Sequence, residues 1–174
     1  FAGLFTASCQ STQAPKVKRY SAFTEMADPA RDSVAQWTAT PNGLNASFVS
    51  IDTKFSKSVE PTIKTSKTTE RVIGWQGERL SAQILGWANS DIKEIEYTIG
   101  DFKGDKKTLP ATIADMRFVR YVMTDEFAGG CGYRQPEDFA ESLTADMLHN
   151  INVMDLEANT VRPIWVSVAI PTGT

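Results

Sequence analysis

From about residue 45 onward apolar and polar residues alternate, the spacing that sends successive side chains to opposite faces of a β-strand. In "GERLSAQILGWA", Leu80, Ala82 and Ile84 alternate with Ser81, Gln83 and Leu85, and the run ends at Trp87. "IKEIEYTIG" sets Ile95, Tyr97 and Ile99 against Glu94, Glu96 and Thr98, which predicts a strand with one wet face. "ADMRFVRYVMT" alternates Met116, Phe118, Arg120 and Val122 with Arg117, Val119, Tyr121 and Met123, so its arginines need partners or an edge. "IWVSVAI" puts Ile164, Val166, Val168 and Ile170 on one side, and "PNGLNASFVSID" reads as a Pro41–Asn42–Gly43 turn with a strand beginning near Asn45. Short strands with turn signals between them predict an all-β fold, an antiparallel β-sandwich with short helical excursions. Its predicted core is Leu80, Ile84, Ile95, Ile99, Phe118, Val122, Val166 and Val168.

Two stretches break the alternation. "DPARDSVAQW" offers Asp28 as an N-cap, Pro29 at the first helical position, and Val34 and Trp37 three apart, which predicts a short helix or turn with Trp37 on the core. "QPEDFAESLTADMLHN" spaces Phe139, Leu143 and Met147 by four behind Pro136, Glu137 and Asp138, a pattern that suits a helix or an excursion linking two strands.

The N-terminal "FAGLFTASCQSTQAPK" is an apolar run that stops at small residues and a cysteine. It resembles the end of a bacterial lipoprotein signal, with Thr6, Ala7 and Ser8 before a lipidated Cys9. The alternative is a buried strand from Phe1 to Leu4 with Cys9 an ordinary small hydrophobe. The lipoprotein reading divides the chain into signal and lipobox at 1–9, polar tether and short helix at 10–36, and β-sandwich at 37–174. It predicts export to the cell envelope, at the outer membrane, with the lipid holding the protein to the bilayer. "RPIWVSVAIPTGT" ends in a turn that should lead into a further strand, so the sandwich is expected to be truncated at its C-terminal side.

Composition excludes several functions. Eighteen basic against 21 acidic residues give a net charge of −3 without a basic stripe, which argues against a nucleic-acid partner. The single histidine, His149, and two cysteines at no ligand spacing predict no metal site and no cofactor. With Cys9 lipidated, Cys131 is expected to be a free, shielded thiol.

The most tempting chemistry is Asp125–Glu126, adjacent acids after a predicted strand and before "AGGCGYR". Two such acids can divide proton transfer and substrate orientation, but they equally cap a solvated loop. Trp75, Trp87 and Trp165 have the shape of sugar-stacking platforms, yet within alternating strands they read first as core or interdomain residues. Glu78 and Arg79 are expected to anchor a strand end.

The Trp75, Gly77, Glu78, Arg79 head of "GWQGERLSAQILGWA", then "MRFVRYVMTDEFAGGCGYR" and "VRPIWVSVAIPTGT", occur in the order found in the N-terminal module of family 123 type glycoside hydrolases, which residues 37–174 resemble. The resemblance implies a β-sandwich preceding a catalytic barrel that acts on terminal N-acetylgalactosaminides. There an adjacent Asp and Glu in the barrel act together with the substrate's acetamido group. A barrel alone needs about 250 residues. Asp125 and Glu126 therefore lie in the wrong domain to inherit that role, and no catalytic residue is assigned. The partners implied are the chain's own downstream catalytic domain and glycan. The competing reading is a lipid-anchored carbohydrate-binding or adhesin-like module without catalysis.

Overall fold

The computed structural model describes residues 2–6, 25–28, 34–104, 107–124 and 142–173. Their strands are β1 (Ala2–Thr6), β2 (Asn45–Val49), β3 (Thr69–Ile73), β4 (Arg79–Ala88), β5 (Ile92–Glu96), β6 (Phe102–Lys103), β7 (Thr108–Leu109), β8 (Ala114–Thr124), β9 (Ser142–His149), β10 (Val153–Leu156) and β11 (Thr160–Ala169). Five of them form the main sheet in the order β2-β4-β11-β8-β9, antiparallel at every step. Three two-stranded ribbons complete the fold, β1-β3, β5-β10 and β6-β7. The all-β, antiparallel expectation is met. Helical structure among the described residues is limited to the short 3₁₀ turns Val34–Ala39 and Ala111–Ile113.

Both faces of the main sheet are covered, which explains why neither face of β4 is polar throughout. One face carries Leu85, Trp87, Tyr121, Leu143 and Val161, capped by Trp37 from the 3₁₀ turn and by Phe55 and Ile63 from the connection after β2. The opposite face holds Ala88 and Phe118 under the β5-β10 ribbon, which contributes Ile95 and Leu156, and Ala82, Val166 and Val168 beneath Phe102 and Ile113. Tyr97 leans on Phe118 with ring centroids 5.1 Å apart. Of the predicted core, Ile95, Phe118, Val166 and Val168 are buried and Leu80, Ile84, Ile99 and Val122 half-buried.

Residues 142–147 correct the helical reading, since Ser142–His149 is an edge strand paired with β8. A spacing of four is even, so it suits a strand face as well as a helix face. The pairing shifts at Arg120–Tyr121, which leaves Asp146 unopposed between Ala145 and Met147. Such a bulge turns the strand over. Leu143 consequently enters the core while Met147 faces outward on the other side.

Pro163 sits in the central strand, where a missing N–H should break a ladder. The β11-β8 register runs from Val168–Ala114 to Ile164–Phe118 and stops there, although β8 continues to Thr124. One more step would oppose Val119 to Pro163, which has no proton to donate. The two strands part at that point, and their freed backbone groups are met by side chains and, at the Val161 N–H, by the Lys57 carbonyl at 2.9 Å.

Candidate functional site

The parting of β8 from β11 is filled by a buried ion cluster built from distant parts of the chain. Arg162 donates through Nη1 to the Val119 carbonyl (2.9 Å), the acceptor a residue-163 N–H would otherwise have met. Its fork also holds Glu25, Nη1 to Oε1 at 2.6 Å and Nη2 to Oε2 at 2.7 Å. Glu25 Oε1 accepts from the Tyr121 N–H at 3.0 Å, and Lys57 Nζ lies 3.2 Å from Oε2. The Arg162 guanidinium lies 5.1 Å from the centroid of the Tyr121 ring, whose hydroxyl donates to the Phe55 carbonyl at 2.8 Å. Glu157, at the solvent side, reaches Lys57 at 3.3 Å. Asp28, the predicted helix cap, accepts from the Ser58 N–H at 3.0 Å and so ties the same segment to the chain beside Lys57.

Electrostatics decides what this cluster can do. Burial alone would push the Glu25 carboxyl up, but the hydrogen bonds and charge of Arg162, the Tyr121 N–H and the Lys57 ammonium outweigh it and hold the group at about 2. A carboxyl held there does not donate a proton at neutral pH. The cluster is therefore a clamp that fastens residues 25–28 onto the sheet. On β9, opposite Phe118, His149 is held below the usual imidazole range by burial first and then by the nearby Arg120 and Arg162 charges, against a smaller opposing effect of Glu25.

A second arrangement lies at the head of β4. Glu78 Oε2 accepts from the Trp75 N–H at 2.7 Å and the Glu78 N–H donates to the Trp75 carbonyl at 3.1 Å, closing a tight turn. Gly77 has φ +81°, the left-handed region that glycine enters without strain. A Cβ on Gly74 would come within 2.6 Å of Leu80 Cδ2 and 2.9 Å of both Glu78 Oε2 and Ile170 Cδ1. Gly77 N–H donates to the Ile170 carbonyl (2.9 Å), Ile170 N–H to Glu78 (2.8 Å), and Gly173 N–H to Gln76 Oε1 (3.2 Å). The turn is thus tied to the last described residues.

This turn leaves the Trp75 side chain 85% exposed, which overturns a core position for it within this domain. Trp87 is buried and Trp165 half-buried. Alternation spoke for the strand tryptophans, but Trp75 lies in a turn, where period two has no meaning. Glu78 acts as the expected anchor. Cys9, Asp125, Glu126 and Cys131 lie outside the described residues. Among the described residues no group of three or more His, Cys, Asp or Glu could hold a metal ion, and no helix is long and apolar enough to cross a membrane. The sequence reading missed Glu25, Lys57 and Arg162; the one available signal was Arg–Pro inside a strand pattern otherwise fit for a sheet centre.

An antiparallel sheet covered on both faces, with a side-chain clamp where its central strand meets a proline, defines a β-sandwich module. The sequence places it further: residues 48–174 match the family model described as the glycoside hydrolase 123 N-terminal domain, and the chain belongs to that family. Among solved structures it is similar to a family 123 glycoside hydrolase from Clostridium perfringens, studied for glycolipid glycan hydrolysis, with a TM-score of 0.61 and 16% identity. The likeness covers 76% of this chain and 22% of that one, so the chain spans well under a third of that enzyme's length. No curated protein matches the chain.

Proposed function

We propose that the chain is the accessory N-terminal β-sandwich of an exported glycoside hydrolase that cleaves terminal N-acetylgalactosaminides in a barrel domain following residue 174. The observation that carries this reading is the family match over residues 48–174, which is to an N-terminal domain, together with the small share of the Clostridium enzyme that the chain spans. In this role the sandwich packs against the barrel and holds it in position. The barrel supplies the acid pair and this domain supplies a rigid support, which suits a fold whose central clamp keeps its carboxylate ionised. Lipid on Cys9 anchors the protein to the envelope, with the polar segment after it as tether.

The test is hydrolysis of an aryl N-acetylgalactosaminide by the protein carrying the following domain, by residues 1–174 alone, and by the longer protein with Asp125→Asn or Glu126→Gln. Turnover by the longer protein, none by the short chain and little change in either variant is expected. Turnover by residues 1–174 that disappears with Glu126→Gln would overturn the assignment. Anchoring is tested separately: Cys9→Ser in the longer protein should abolish lipid labelling and release it from the membrane fraction, and unchanged labelling would refute Cys9 as the lipid site.

A further inference from the structure

We propose that the Trp75 turn is the docking point for the domain that follows residue 174, with the indole seated in an apolar recess of that domain close to where the chain enters it. The inference rests on the reading that such a domain follows. Trp75 is 85% exposed and Ile73, two residues earlier, 68% exposed, so two large apolar side chains stand in water at one end of β3. A bare indole of this kind is costly to display and is the residue type most enriched among binding hot spots.

The turn is also rigid. The Glu78 carboxylate closes it, Gly77 takes a left-handed conformation, and Gly74 has no room for a side chain. Rigidity of that kind reduces the entropy lost when the side chain is seated. Position names the occupant. The turn backbone is hydrogen-bonded to Ile170 and its Gln76 side chain accepts from the Gly173 N–H at 3.2 Å, so a polypeptide that continues past Gly173 starts beside the turn. A covalently attached surface at that distance has an effective concentration that a free glycan or a second copy lacks.

The indole makes no bond in the described fold, and the turn's hydrogen bonds use the Trp75 backbone, so Trp75→Ser removes the side chain and keeps the turn. The experiment compares hydroxyl-radical oxidation of Trp75, read by mass spectrometry, in residues 1–174 and in the longer protein. It adds Trp75→Ser in both, with melting temperature and the rate of proteolytic cutting just after residue 173. We expect Trp75 to oxidise at least about tenfold more slowly in the longer protein, the factor set by a hot-spot contact. Trp75→Ser should leave the melting of the short chain unchanged and speed cutting at the junction about as much.

Equal oxidation in both proteins would overturn the proposal. So would protection that appears only on adding an N-acetylgalactosamine-terminated oligosaccharide, which would make Trp75 a sugar platform, or protection of the short chain that grows with its own concentration. The two readings fail separately. Turnover by the longer protein with Trp75 unprotected sinks the docking point alone, whereas protection without turnover upholds the docking point and sinks the hydrolase reading.

Discussion

Replacing Glu25 by Gln keeps the side chain's shape and removes the one buried negative charge shared by Arg162 and Lys57. Its side chain is 7% exposed, so solvent offers little screening. Two independent routes give the cost. Holding the carboxyl at about 2 against an ordinary 4.5 is worth roughly 3 kcal/mol, at about 1.4 kcal/mol for each pH unit. Breaking a buried ion pair by removing one partner costs about 3 to 5 kcal/mol.

The sign follows from the lowered folded-state value: the stabilisation is complete above the unfolded carboxyl's range and is lost as pH falls from about 5 toward 2. Urea unfolding of residues 1–174 should therefore show Glu25→Gln less stable by about 3 kcal/mol at pH 7, a loss of roughly 6 to 12 °C in melting temperature for a domain of this size. The gap between variant and parent should narrow steadily between pH 5 and pH 3. A loss under about 1 kcal/mol at pH 7, or curves that run parallel across that range, would refute the clamp.

Other expectations are simpler. Leu85→Ala, at a position with no solvent exposure in the centre of the sheet, should cost about 2 to 5 kcal/mol in denaturant unfolding. Gly74→Ala should cost about 1 to 3 kcal/mol through its contacts with Leu80, Glu78 and Ile170, and Leu80→Ala in the same chain should recover part of the loss from Gly74→Ala. Burial, then the Asp115 charge, pushes the Tyr97 phenol up to about 12, so ultraviolet titration should find it still protonated at pH 11; Tyr97→Phe strips the donor shared by the Met116 and Ile151 carbonyls and should cost about 1 to 3 kcal/mol.

Alternation located β4, β8 and β11, and the Pro41–Asn42–Gly43 turn located β2. In β5 alternation found Ile95, but the strand ends at Glu96, short of Tyr97 and Ile99, and Glu94 has a positive φ that breaks the period. Trp37 was recognised by its spacing from Val34. Alternation could not separate strand from helix at Leu143 and Met147, where a repeat of four serves both and only pairing with β8 decides. The Glu25–Arg162 pair joins residues 137 apart and leaves no local trace. Trp75 misled for another reason: composition says that tryptophan belongs inside, whereas its exposure is set by a carboxylate three residues later. The ribbon strands β6 and β7, two residues each, are too short to carry a period at all.

β11 is the last of the described strands and the middle strand of the main sheet. Before residue 169 has been made, β2-β4 and β8-β9 are two separate ribbons, each with an open edge, and among the described strands only β11 joins them. Arg162 arrives with the same segment, so until then residues 25–28 have Tyr121, Lys57 and Ser58 to bond to but lack the guanidinium fork that completes the clamp. Closure of the main sheet therefore waits for Thr160–Ala169, a non-local pairing of the kind that slows folding and leaves strand edges open meanwhile.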